Sequence, residues 1–206
     1  MITKKLLLVL VLLISHCINA QDNYGKISDS LSSKSYEYLS QSTVNYKADS
    51  IKARMYASAW LEKAKSENND FQLTHAYKAQ INIVSKQFRL LYTDSMLTAA
   101  KKSKDIELIG SAYMTKGIVH FDRKEQMKAL DNYLIADKYI AQTENQYLIY
   151  KLKYGIAQTK SYLGFYDEAI SLFRECIDYF KEENDRAYLN SLHSLGLCYN
   201  RIGNYA

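Results

Sequence analysis

The sequence predicts an all-α protein built from antiparallel helix pairs that stack on one another. The chain of 206 residues contains no proline, whereas ordinary usage would give about ten. Proline interrupts helices because it lacks an N–H donor and clashes with the preceding turn. Similar segments also recur around Gly117, Ala157 and Gly196. A regular period of this kind indicates a repeated unit of two helices and a turn.

The N-terminal segment has the features of a secretory signal peptide over 1–20. It opens with MITKK, which supplies two positive charges, continues with an apolar run over 6–14, and ends at Ala20. The apolar run is too short to span a bilayer, which needs roughly 20 residues. We therefore expect export to the periplasm with cleavage near Ala20. Lipid attachment at Cys17 stays an alternative, although His16 stands where a lipoprotein would carry a small residue.

Residues 21–29 form a short polar segment before the repeats. The predicted stack of helix pairs, a solenoid, occupies 30–206. Removal of Lys4 and Lys5 leaves 25 basic residues against 22 acidic ones, which is a net charge of +3. A charge this small does not favour binding to nucleic acid or to an anionic membrane surface. We expect this segment to contact no nucleic acid.

Polar breaks place the helix pairs along the chain. They have the sequences SENND, KSKD, QTENQ and KEEND, and they centre on Asp70, Asp105, Asn145 and Asp185. Asp and Asn at such points cap the next helix by accepting its free N–H groups. Between the breaks the apolar residues follow the helical period. This pattern predicts four helix pairs and one further helix, at about 30–67, 70–104, 106–143, 146–183 and 185–206.

Small and aromatic residues recur at equivalent positions of the pairs. A Gly or Ala on one helix lets its partner approach closely, and a large aromatic residue fills the seam with the next pair. The positions that we assign to this packing are Gly117, Ala129, Tyr133, Ala136, Ala157, Ala169, Phe173, Gly196 and Tyr199.

These positions resemble the tetratricopeptide repeat (TPR). The stretch LHSLGLCY over 192–199 is similar to the first helix of that repeat. Ala169-x3-Phe173 and Ala129-x3-Tyr133 are similar to its second helix. The resemblance extends over the predicted solenoid and implies a right-handed superhelix whose first helices line the concave side.

The sequence departs from the TPR pattern in three ways. Its period exceeds the usual repeat of about 34 residues, and the terminal proline of the repeat is absent. Lys116 and Lys160 also occupy positions that are usually apolar or aromatic. We expect longer helices within the same architecture.

The whole chain resembles the N-terminal sensor region of flavobacterial-type membrane regulators. A signal peptide ending in Ala-Gln precedes long-period repeats that contain ALDNYLIA, AISLFRECIDYF and SLHSLGLCYNRIGNYA. In those proteins the repeats lie in the periplasm, and a transmembrane helix and a cytoplasmic AraC-like or LuxR-like helix-turn-helix domain follow. The resemblance implies a non-enzymatic sensor for a peptide or protein, attached to the membrane only through a downstream helix.

The last predicted helix is apolar on more than one side, which indicates that a further helix covers it. We therefore expect the sequence to be a fragment of a longer protein. Two alternatives stay open, namely the sensor part of a histidine kinase and a secreted or lipid-anchored assembly scaffold. Self-association also stays open. The apolar residues concerned are Leu192, Leu195, Leu197, Tyr199 and Ile202.

One face of each first helix gives the candidate binding residues. The predicted concave groove comprises His75, Lys78, Asn82, Met114, Ile118, Phe121, Lys151, Tyr154, Gln158, Asn190, His193 and Asn200. This surface is cationic in one part, apolar in the middle and rich in amides at its end. Such a surface suits an extended peptide or a partner helix. The alternative is that these are solvated residues of a curved scaffold.

Three of these residues match positions with which some TPR proteins bind the C-terminal carboxylate of a peptide. They are Lys78, Asn82 and Lys151. Lysines would pair with the anion, and an amide would donate a hydrogen bond to it. Thr115 and Gly155 occupy the two remaining positions, and glycine has no side-chain donor. The match therefore does not favour this mode of binding.

The sequence contains no motif for catalysis, a cofactor or a metal. Its glycines are dispersed without a phosphate-binding loop. His75, His120 and His193 have no cysteine or carboxylate at metal-ligand spacing. We expect no enzymatic activity. Export would leave Cys176 and Cys198, for which the oxidising periplasm permits a disulfide and two buried thiols are the alternative.

Overall fold

The computed structural model describes residues 30–183 and 185–203, so the predicted signal peptide, Cys17 and the polar segment over 21–29 lie outside the described residues. Within these ranges the chain forms nine α-helices of ten or more residues and no strand. The helices are α1 (Tyr36–Asn45), α2 (Ser50–Ser66), α3 (Asp70–Ile83), α4 (Lys86–Ser103), α5 (Ile106–Asp122), α6 (Gln126–Ile140), α7 (Gln146–Tyr162), α8 (Tyr166–Glu183) and α9 (Asp185–Arg201). The predicted all-α fold class is confirmed.

Polar caps begin the first helices of the pairs. Asp105 and Asn145 each accept the backbone N–H of the third residue that follows, at 2.9 and 3.0 Å, which confirms their predicted role. At the preceding break the prediction is wrong by one residue. Asn69 caps α3 at 3.0 Å, and Asp70 is already the first helical residue. Asp185 begins α9, but its side chain lies outside the described part of the structure.

The turns that follow α5 and α7 share one backbone geometry. Lys124 has φ 62° and Gly164 has φ 87°, both in the left-handed region, and they lie one repeat period apart. The left-handed backbone conformation raises the energy of a residue with a Cβ, whereas glycine adopts it without strain. Gly203, which follows α9 at the equivalent place one period later, has φ 75°. The period of the sequence is therefore also a period of backbone conformation.

The first helices of the pairs form an inner layer. Helix α1 contacts α3, α3 contacts α5, α5 contacts α7, and α7 contacts α9. Within the described residues the second helices contact mainly their sequence neighbours. Helices that approach on one side and diverge on the other curve the stack. We call the solvent-facing side of α1, α3, α5, α7 and α9 the concave face.

The core is a series of four apolar clusters, each of which joins one pair to the next. The first lies between α1, α2 and α3, and the second between α3, α4 and α5. The third joins α5, α6 and α7, and the fourth joins α7, α8 and α9. Each pair therefore buries its apolar surface mainly against its neighbours, so that stability is shared along the stack.

Tyr133 fills the seam between α5 and α7. Its side chain, on α6, is 3% exposed. A Cβ placed on Gly117 would lie 2.5 Å from the ring atoms Cδ1 and Cε1. A Cβ placed on Gly155 would lie 3.2 Å from Cζ. The ring thus occupies the space that two glycines leave open, as close packing requires.

Most of the other positions that we assigned to packing lie in the core. Five have no exposed surface, namely Ala129, Ala136, Ala157, Ala169 and Phe173. Tyr199 is half-buried and accepts a hydrogen bond from Arg174. Gly196 departs from the expectation, because a Cβ there would meet no heavy atom within 4 Å. The close approach expected at Gly196 is therefore not made by the described residues.

The two lysines that depart from the TPR pattern form ion pairs between helices. Lys116 Nζ on α5 lies 2.7 Å from Asp94 Oδ1 on α4. Lys160 on α7 pairs with Glu168 on α8. Partly exposed pairs of this kind contribute at most about 1 kcal/mol each. They allow a charged residue at a seam without leaving its charge unpaired.

Candidate functional site

A cleft of about 940 Å³ lies between α1, α2 and α3. Three residues of the predicted groove, His75, Lys78 and Asn82, line it together. Helix α1 contributes further hydroxyl and amide groups, among them Ser40 and Asn45. Our sequence reasoning assigned no groove residue to α1. The polar residues at helical spacing on that helix were the signal that could have identified them.

Of the two lysines that line this N-terminal cleft, Lys47 is exposed and Lys78 is largely shielded from water. Lys78 Nζ donates a hydrogen bond to Ser111 Oγ on α5 at 3.0 Å. Burial lowers the pKa of Lys78, and the positive charge of Lys151 lowers it further, while Glu107 acts in the opposite direction. Burial also lowers the pKa of the His75 imidazole, with a second contribution from Lys78. An anion entering the cleft would relieve the cost of this buried positive charge.

A second cleft, of about 430 Å³, lies at the other end of the described solenoid. Lys151, Tyr154 and Asn190, which the sequence predicts as groove residues, line it together. The remaining side chains come from positions that our reasoning missed. They are Tyr147, Phe180, Arg186 and Ala187. Phe180 lies at the end of a second helix, so a prediction confined to first helices could not include it.

The aromatic wall of this C-terminal cleft is held by ring contacts. The Phe180 ring makes edge contacts with Tyr147 at 6.2 Å and Tyr179 at 5.1 Å between ring centroids. Tyr150 stacks on Tyr179 at 4.1 Å. Such contacts add to area burial and fix ring orientation. The wall is therefore formed before any ligand arrives.

The middle of the predicted groove is only partly on the surface. Ile118 is 39% exposed, and Phe121 is partly buried, with an edge contact to Tyr162 at 5.2 Å. Met114 corrects the prediction. It is 2% exposed and belongs to the cluster that contains Ile140 and Leu152. Its side chain fills the core and offers no surface to a ligand.

Like Met114, Ile118 and Phe121, three further predicted groove residues line neither cleft. Gln158 is half-buried, whereas His193 and Asn200 are exposed on α9. The structure thus brings six of the twelve predicted residues into two clefts, leaves five elsewhere on the surface and places Met114 inside.

The structure gives a physical reason against the carboxylate-binding mode. Thr115 is 7% exposed, and its Oγ1 donates to the carbonyl of Ser111 at 2.8 Å. Gly155 is covered by the Tyr133 ring. Neither position offers a free donor to a ligand.

The described histidines and cysteines lie in separate surroundings. Within the described residues no group of three His, Cys, Asp or Glu side chains could hold a metal ion. His120 Nδ1 lies 2.6 Å from Glu125 Oε2, which makes it part of a structural pair. Cys176 and Cys198 are both buried and free, so the structure contains no disulfide between them. Burial raises the pKa of the Cys176 thiol to about 12.

Comparison with known proteins finds similarity to one repeat family and to solved structures with the same fold. Residues 148–206 match the tetratricopeptide repeat family. The MamA protein crystal structure superimposes with a TM-score of 0.53 and 19% identity, over 82% of this chain and 83% of that one. A Podosopora anserina protein described as a kinesin light chain with nearly identical TPR-like repeats gives a TM-score of 0.56 and 12% identity, over 81% and 86%. A point variant of it gives 0.57 and 11%.

No curated protein matches the sequence. The fold is nevertheless assigned: a TPR-like, right-handed superhelical solenoid of antiparallel helix pairs. The repeats support a protein-interaction module that binds proteins or peptides. Among residues 30–183 and 185–203, no helix combines the length and apolarity needed to cross a bilayer.

Proposed function

We propose that this chain is a peptide- or protein-binding TPR module that serves as the extracytoplasmic sensor of a transmembrane transcriptional regulator. The observation that carries the binding role is the pair of clefts, of about 940 and 430 Å³, at the two ends of one solenoid. The sensor role is supported by the signal-type sequence over 1–20 that precedes the repeats.

An extended ligand suits this surface better than a small compact one. Lys78 in the N-terminal cleft lies on α3 and Lys151 in the C-terminal cleft lies on α7, with α5 between these two helices. Ile118, on the helix between them, is exposed. A peptide lying across α5 would therefore reach both clefts in one bound conformation.

Binding would be transmitted through the curvature of the stack. Each pair packs mainly on its neighbours, so small rotations at several seams add along a solenoid. A ligand that contacts both ends would favour one curvature over another, and the population would shift by the difference in its affinity for them.

Site-specific photo-crosslinking in cells tests the binding role. A photoreactive amino acid replaces Ile118 on the concave face and, as a matched control, Leu134 on α6, which is 47% exposed. We expect a discrete crosslinked adduct from position 118 and none from position 134. Equal adducts from both positions, or none from either, would refute the proposal that the concave face binds the ligand.

Fusion of the whole chain to alkaline phosphatase tests export. Alkaline phosphatase is active only where its disulfides form. We therefore expect phosphatase activity in cells that carry the fusion, and we expect it to disappear when 1–20 is deleted. The coding sequence after codon 206 then separates a DNA-binding output from a kinase output. A downstream sequence with neither would refute the sensor role and leave the binding role intact.

A further inference from the structure

We propose that the C-terminal cleft recognises an acidic side chain of a bound peptide next to an apolar one. This inference rests on the proposed function and specifies the ligand chemistry of the same groove. Two of the seven residues that line the cleft are cations, Lys151 and Arg186, and none of the seven is acidic. The exposed ring of Tyr147, which packs on the buried ring of Phe180, supplies the apolar part of the lining. A peptide segment with one carboxylate and one apolar side chain matches this composition.

Among the residues that the structure describes, the two cations of this cleft have no carboxylate partner. Within the described residues neither Lys151 nor Arg186 forms an ion pair, and Lys151 Nζ lies 5.9 Å from the centroid of the Tyr147 ring. The other lysines of α7 behave differently. Lys153 Nζ lies 2.6 Å from Glu175 Oε2 on α8, and Lys160 also has a carboxylate partner there. The unpaired positive charge of α7 is thus confined to its concave side.

The size of the cleft suits two neighbouring side chains of a peptide and not the large surface of a folded partner. Its volume of about 430 Å³ is at the lower end of ligand pockets in general. Tyr147 is 46% exposed, and its ring is held by an edge contact with Phe180, which is 2% exposed, so little conformational freedom is lost when a ligand contacts Tyr147. Asn190 adds an amide that can donate to a peptide carbonyl.

Charge complementarity favours a peptide over a nucleic acid or an anionic bilayer. Those partners require an open basic surface that neutralises many phosphates. Here only two cations of the described residues line the cleft, and both stand beside aromatic residues. The two oxygens of a single carboxylate can accept hydrogen bonds from both cations, which leaves a net charge of +1 among the lining residues.

Selection from a phage-displayed library of random dodecapeptides on the purified chain tests the inference. We expect the selected peptides to be enriched in Asp or Glu next to Leu, Phe or Tyr. The tightest of them, measured by fluorescence anisotropy, should bind Lys151→Gln and Arg186→Gln at least about tenfold more weakly, the loss typical of one charge-assisted hydrogen bond. Its affinity for the wild-type chain should fall as salt is raised.

Two controls separate charge from folding. Lys138→Gln makes the same change of charge on an exposed position of α6 and should leave the affinity unchanged. Lys151→Arg keeps the charge and should retain binding. Both cations of the cleft are exposed, so the helical circular dichroism of every variant should match the wild type.

The outcomes distinguish this inference from the function on which it rests. Selected peptides without acidic enrichment, or peptides whose affinity is unchanged in both glutamine variants, would overturn the inference alone. A selection that yields no binding peptide would overturn the peptide-binding function and the inference together. Binding of anionic lipid vesicles or DNA that is lost in the same variants would assign the cleft to another class of partner.

Discussion

Gly117→Ala should destabilise the protein even though alanine is the better helix former. The new Cβ would lie 2.5 Å from two atoms of the Tyr133 ring, where carbon atoms normally stay about 3.5–4.0 Å apart. The ring cannot move away freely, because the Tyr133 side chain is 3% exposed and packed in the cluster that joins α5, α6 and α7. Overpacking of this kind lowers the free energy of unfolding by up to about 3 kcal/mol. The higher helix propensity of alanine raises it by about 1 kcal/mol. We expect a net loss of roughly 2 kcal/mol.

The sign should reverse when the ring is removed. In a Tyr133→Ala background Gly117→Ala meets no ring and should stabilise the helix by about 1 kcal/mol. The two substitutions are therefore coupled by about 3 kcal/mol in a double-mutant cycle. Gly196→Ala is the matched control, because its Cβ would meet no heavy atom within 4 Å, and it should stabilise the wild type by a similar amount.

Thermal unfolding followed by circular dichroism measures all four variants. A domain of this size shifts its Tm by about 2–4 °C per kcal/mol, so Gly117→Ala should lower Tm by roughly 4–8 °C. Gly196→Ala should raise it by a few degrees. A Tm that rises on Gly117→Ala both in the wild type and in the Tyr133→Ala background would refute the placement of Tyr133 in this seam.

Four further outcomes follow from the described contacts. Asn145→Ala removes the cap of α7 and should cost about 1 kcal/mol in urea unfolding, whereas an unchanged midpoint would contradict the capping role. Lys124→Gly should stabilise by up to about 1 kcal/mol, since φ is 62° there, and a loss would contradict that backbone geometry. Cys176, 0% exposed and with its pKa raised to about 12, should not react with a thiol reagent at pH 8 until urea is added. The hydrogen bond with His120 lowers the pKa of Glu125. This carboxylate therefore stabilises the fold at neutral pH and loses its effect as the pH falls through its folded pKa. The Tm difference between wild type and Glu125→Gln should be largest near pH 7 and vanish well below pH ~4.

The helix positions were predictable because they depend on local interactions. A chain without proline, with polar caps such as Asp105 and Asn145 one repeat period apart, encodes where each first helix begins. The caps act within three residues of their own position. The error at Asp70 has the same origin, since two adjacent residues, Asn69 and Asp70, can both cap and only the backbone geometry decides between them.

The rotation of each helix about its axis was not predictable with the same accuracy. Met114 and Ile118 are four residues apart and were assigned to one face, but they are 2% and 39% exposed. Four residues advance an α-helix by about 400°, so the two side chains differ by about 40° in direction. At the border between core and groove that difference separates a buried side chain from an exposed one. The sequence period identifies the apolar stripe but does not fix where its edge meets the neighbouring helix.

Residues supplied by two meeting helices were the other part that sequence reasoning missed. Phe180 lies in the last turn of α8 and Arg186 in the first turn of α9, and both line a cleft to which α7 also contributes. Their proximity depends on the short connection between α8 and α9 and on the packing of both against α7. No periodicity within a single helix contains that information.

Gly155 shows why a match to a ligand-binding position must be weighed against packing. From the sequence alone it occupies a place where some TPR proteins need a donor side chain, and it has none. In the structure the same position accommodates Tyr133, since even a Cβ there would lie 3.2 Å from the ring. A donor such as Asn could be introduced only by displacing the ring that also fills the space at Gly117. The requirement of the seam therefore decides the residue at this position, and the ligand chemistry of the groove has to come from side chains that no seam uses, such as Lys151 and Arg186.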